Sequence, residues 1–72
     1  MTKSEFIAMV KNHMRNAKNQ WLAGCYPVEE NLVSIKLYNK SIQLLSINGE
    51  RCPSVWDLPT QKAVIQFIEK YL

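Results

Sequence analysis

The sequence contains no apolar run longer than Phe6-Ile7-Ala8-Met9-Val10, too short to span a bilayer or to form the core of an export signal. It has one histidine and two cysteines, with no CxxC pair and no HExxH run. A structural zinc site needs four ligands, so His13, Cys25 and Cys52 do not make a recognisable set, and no metal is expected. Glycine occurs only at positions 24 and 49, which excludes a glycine-rich phosphate loop. With three prolines, the same scarcity excludes collagen-like and low-complexity chains. Without an export signal the expected compartment is the cytoplasm, where Cys25 and Cys52 are thiols, a single bridge between them being the alternative.

What is present is 72 residues, 47% hydrophobic and 21% charged, the composition of one small globular domain over residues 1–72. A domain of this size needs nearly all its large apolar residues for the core. The net charge of +3 is unevenly placed. Lys3, Lys11, Arg15 and Lys18 face Glu5 alone in residues 1–20, whereas the remaining residues are balanced.

The first segment reads as a long amphipathic helix. Thr2-Lys3-Ser4-Glu5 has the spacing of a capping box. Phe6, Val10, His13, Met14, Ala17 and Trp21 fall on one side at about 100° per residue. Gly24 is the expected stop and Pro27 bars a restart, leaving residues 25–31 as a connector. From Leu32 the period becomes two, which predicts strands over 32–38 and 41–47, and the break in parity at Leu44-Leu45 predicts either a bulge there or partial cover on both faces. Asn48-Gly49 is a hairpin turn signal, which predicts a third strand over 50–55. Pro53 places that strand at an edge. A second helix opens at Asp57-Leu58-Pro59-Thr60 and buries Val64, Ile65, Ile68, Tyr71 and Leu72. The expected fold is α+β in α-β-β-β-α order, a three-stranded antiparallel meander with both helices on one face.

No catalytic set emerges. His13 is the only imidazole, on the apolar side of its helix, and reads as a packed, hydrogen-bonded residue. A dyad with Cys25 would need to bridge about 18 Å of helix. Glu29-Glu30 is an adjacent pair in a loop, with no burial to raise a carboxyl pKa. A core this small leaves little room for a ligand cavity, so neither a small-molecule substrate nor a cofactor is expected.

Surfaces remain. Lys11, Arg15 and Lys18 are spaced to lie in one row on a helix, a row that tracks phosphates. Trp21 and Trp56 are the residue type that anchors interfaces or closes a core. The uncovered sheet face, with Ser34, Lys36, Tyr38 and Gln43, reads as ordinary solvent exposure. The expected function is a non-enzymatic interaction protein whose partner is another protein or a second copy of itself, with no membrane contact.

The α-β-β-β-α order, together with Lys11, Arg15 and Lys18 on the first helix, resembles the double-stranded-RNA-binding domains. That resemblance implies recognition of A-form shape and backbone, and nucleic acid is the alternative partner. In that family a loop between the first two strands and a lysine cluster opening the second helix also hold RNA. Here the corresponding loop, Asn39-Lys40, is short, and the second helix offers Lys62 alone.

Overall fold

The structure, a computed structural model, describes residues 1–52 and 56–72, and of Trp56 the backbone only. Helix α1 covers Lys3–Asn16. Three long strands follow, β1 (Trp21–Val28), β2 (Asn31–Tyr38) and β3 (Ser41–Ile47). Two short strands, β4 (Glu50–Arg51) and β5 (Trp56–Asp57), precede helix α2 (Gln61–Tyr71). All pairings are antiparallel. The order is β1-β2-β3, with β4 and β5 both on the outer side of β3 at its two ends. The α+β class and the meander are as the sequence predicts. Of the third strand expected over 50–55, only Glu50–Arg51 forms as β4 and Cys52 is already outside it, while residues 53–55, with the edge proline Pro53, lie outside the described residues.

The first helix is shorter than its periodicity suggests, and the sheet gains a full strand. The Thr2 hydroxyl accepts from Glu5 N–H at 3.1 Å and the Glu5 carboxylate accepts from Thr2 N–H at 2.8 Å, so the capping box forms. At the other end Ala17 leaves helical geometry and Asn19 takes a left-handed φ of 62°, which turns the chain back. Asparagine tolerates that conformation better than other residues with a side chain. Residues 21–28, expected as the helix end and a connector, pair with β2 over their whole length. Gly24 therefore stops no helix. Tyr26 lies over it, and a Cβ there would come within 3.1 Å of the Tyr26 hydroxyl. Eight residues of ladder outweigh the modest helix propensity of this stretch.

The hairpin turns use left-handed residues, Glu29 at β1–β2, Asn39 at β2–β3 and Asn48-Gly49 at β3–β4. Glu29 is held there by its N–H to Met1 O at 2.7 Å and by Lys3 N–H to its carboxylate at 3.3 Å. Asn48 takes the place of a strand partner: its side-chain oxygen accepts from Leu32 N–H and its own N–H donates to Leu32 O, both at 2.8 Å. The bulge sits at Gln43, one residue earlier than expected, where the register shifts between Lys36 and Leu37.

Both helices cover one face of the sheet. Phe6, Ile7, Val10 and Met14 of α1 meet Val64, Ile65 and Ile68 of α2 above Val28, Val33, Ile35, Leu37, Ile42 and Leu45. Each such large side chain contributes about 1.5–3 kcal/mol on burial, the main term holding this fold. Helix α2 begins later than predicted, at Gln61, with the Thr60 hydroxyl accepting from Ala63 N–H at 3.0 Å. Asp57 belongs to β5, and Tyr71 is partly exposed. Among the described residues, no helix is long and apolar enough to cross a membrane.

Candidate functional site

The sheet face opposite the helices is built from alternate residues of three strands. In an antiparallel ladder directly opposed residues share a face. Trp21 opposes Tyr38, Ala23 opposes Lys36, Cys25 opposes Ser34 and Pro27 opposes Leu32. Leu44 continues the Lys36 row and Ser46 the Ser34 row. The Trp21 and Tyr38 rings lie 5.0 Å apart between centroids, and the Lys36 ammonium sits 5.0 Å from the Trp21 ring. Cys25 Sγ and Ser34 Oγ are 3.0 Å apart. Trp21 and Leu32 are each 51% exposed. The polar character expected of this face is thus corrected. The residues expected on this face all belong to β2 and β3, whereas β1 adds Trp21, Ala23, Cys25 and Pro27.

Strand β1 is also the free edge of the sheet. The N-terminal ammonium donates to Pro27 O at 2.7 Å from outside the sheet, so Pro27 turns its carbonyl outward. A strand residue points its N–H and C=O to the same side, and the side alternates along the chain. Trp21, Ala23 and Cys25 therefore aim their backbone groups away from β2. They find no backbone partner there among the described residues. The strand carries no charged side chain. Natural edges are commonly blunted by charge, a bulge or proline, and here Pro27 and the N-terminal ammonium on its carbonyl do so near one end of the strand.

A second surface runs between the helices on the far side. Lys11 and Arg15 of α1 share a groove of about 450 Å³ with Gln61, Lys62 and Glu69 of α2. Lys18 does not continue their row. It lies beyond the end of α1, because the helix stops at Asn16, and lines a neighbouring groove of about 470 Å³ with Lys40 and Thr60. Gln61 walls both grooves and ties them to α1 by donating to Met14 O at 3.2 Å. Sequence reasoning missed Lys62 and Lys40 as neighbours of this band, because the contact between helices that brings them there is not local. The Trp56 backbone pairs with Ile42 in the sheet, and its side chain lies outside the described residues.

His13 and Cys25 are held apart. The His13 ring N–H donates to Gln20 O at 3.0 Å on the helix side, while Cys25 lies on the opposite face of the sheet. Both cysteines are free thiols, and partial burial pushes the Cys52 thiol above its ordinary pKa. Among the described residues no group of three or more His, Cys, Asp or Glu side chains converges.

With strand β1 in place, the first inter-strand turn is Glu29-Glu30, not Asn39-Lys40. Its acidic side chains are unlike a phosphate-binding loop, so the likeness to double-stranded-RNA-binding domains stays at element order. No known family model matches the chain, and neither a curated protein nor a solved structure does.

Proposed function

We propose that this chain is a non-enzymatic interaction protein that holds another polypeptide on its open sheet face and β1 edge. The observation that carries this reading is the uncharged edge strand with outward backbone groups at Trp21, Ala23 and Cys25, beside a face where Trp21 and Leu32 are half exposed. An added strand satisfies such an edge through main-chain hydrogen bonds, and the adjoining side chains set specificity. Tryptophan with a lysine over its ring is a preformed anchor of the kind that dominates interfaces. The separation of His13 from Cys25 by the sheet supports a role without nucleophilic catalysis.

A photo-crosslinking side chain placed at Ala23, with a second variant carrying it at Lys62, tests the reading in the cell. Polypeptide adducts from Ala23 that disappear with Trp21→Ala support it. Adducts from Lys62 alone refute it.

A second reading rests on a separate observation, the gathering of Lys11, Arg15 and Lys62 along one groove. That groove suits the phosphate backbone of a nucleic acid, with affinity falling as salt rises. Titration with duplex RNA, duplex DNA and single strands at two salt concentrations tests it. The absence of binding at low salt removes it.

A further inference from the structure

We propose that the occupant of the β1 edge is a second copy of this chain, paired antiparallel about a two-fold axis through Ala23. This inference rests on the reading of the edge as a polypeptide-binding surface and names the partner.

The edge pairs with a second copy most fully in one register. Trp21, Ala23 and Cys25 present their N–H and C=O groups outward, and Pro27 has no N–H and already gives its carbonyl to the N-terminus. Setting Ala23 opposite the partner's Ala23 places Trp21 opposite the partner's Cys25, and Cys25 opposite the partner's Trp21. All these are positions of the hydrogen-bonding type, so the ladder closes with about six main-chain bonds. The next pair along, Asn19 with the partner's Pro27, ends the ladder from both sides. Asn19 has left the extended conformation, and Pro27 cannot donate. The ladder thus begins and ends where the free backbone groups do.

Charge placement allows the approach. Each copy carries a net +3, with the excess in residues 1–20. Lys11 and Arg15 turn toward α2, and Lys18 toward Pro59 and Thr60. Neither group lies along β1, whose eight residues are uncharged, and the one charge on its outer side, the N-terminal ammonium at Pro27 O, sits past the paired stretch Trp21–Cys25. The edge is therefore a surface where two like-charged copies meet with little repulsion, while a polyanion is drawn to the helix groove instead. Pairing about this axis joins the two open faces into one, with each Trp21 beside the partner's Cys25. Both pairs of helices stay on the other side.

Sedimentation equilibrium of the full chain from about 10 μM to 1 mM tests the proposal. The expected result is an average mass rising from 8.4 kDa toward twice that value. Ala23→Lys sets like charges against each other at the axis and raises the concentration for half-association roughly tenfold or more. Ala23→Pro removes an outward N–H that makes no bond within the chain, so it prevents association and keeps the far-UV spectrum. Two results overturn the proposal: a mass that stays at 8.4 kDa throughout, or a dimer indifferent to both variants. A monomer that still yields polypeptide adducts from Ala23 in the cell refutes the second copy alone and leaves the edge as a site for a different chain. A monomer without such adducts refutes both.

Discussion

Trp21 lies directly opposite Tyr38 in the β1–β2 ladder, their ring centroids 5.0 Å apart, on the face that neither helix covers. A tilted ring pair of this kind contributes about 0.5–1.5 kcal/mol. Because Trp21 is half exposed and outside the core, Trp21→Ala is expected to cost about 1–3 kcal/mol, the ring pair together with the half-buried area, and to leave the far-UV spectrum unchanged. Crosslinking from Ala23 is expected to fall at least tenfold, roughly, as for the loss of an interface anchor. Urea unfolding and adduct yield, measured on the same variant, separate the two effects.

Asn39 joins two turns that are distant in sequence. Its side-chain oxygen accepts from Asn19 N–H at 2.8 Å, and its amide donates to the Asn19 side chain at 3.1 Å. It also holds a left-handed φ of 52°. Asn39→Ala loses both features and is expected to cost about 1–3 kcal/mol. Asn39→Gly recovers the backbone freedom, loses the clip and costs less. Denaturant unfolding of the two variants checks the order.

The edges of the fold were less legible in the sequence than its middle. Val33, Ile35 and Leu37 alternate cleanly because β2 has one face buried and one open. Thr2, Glu5 and Asn48-Gly49 carry local chemistry that acts wherever it occurs. Strand β1 was hidden because Trp21 also fits the helical spacing that runs back through Met14 and Phe6. Gly24 and Pro27 look like a stop and a breaker to any local rule. What makes Trp21–Val28 a strand is its ladder with β2, a relationship that no short window contains. The same omission made the open face look polar. For the basic residues, Lys11 and Arg15 could be placed together from their spacing, whereas Lys62 joins them only through the packing of α1 on α2.

The Glu5 carboxyl is held below its ordinary pKa of 4.5, first by the Thr2 backbone N–H and then by the Thr2 hydroxyl. A group depressed on folding adds stability that is fully present above its unfolded value and is lost as the pH falls through its folded value. The melting temperature difference between the wild type and Glu5→Gln is therefore expected to be constant from about pH 7 down to the ordinary carboxyl range, and to shrink below it. Thermal melts across acid pH check this. A difference that grows on acidification contradicts the assignment.

The helix groove makes a separate forecast. Lys11→Glu with Lys62→Glu reverses the charge on facing sides of the groove and leaves the core and the β1 edge untouched. Association through β1 is expected to keep the same half-association concentration within about twofold, since exposed charges far from a contact are screened. Any affinity for nucleic acid at low salt is expected to vanish. Sedimentation and a low-salt titration of the one double variant read both outcomes.

Amide exchange resolved along β1 tests the working surface most directly. In dilute solution Leu22, Gly24 and Tyr26, whose N–H groups turn toward β2, are expected to be protected, while Trp21, Ala23 and Cys25 exchange quickly. On concentration of the chain the three odd-numbered amides are expected to become protected together. Their exchange at one fast rate at every concentration, and also in any complex captured through Ala23, would contradict the account.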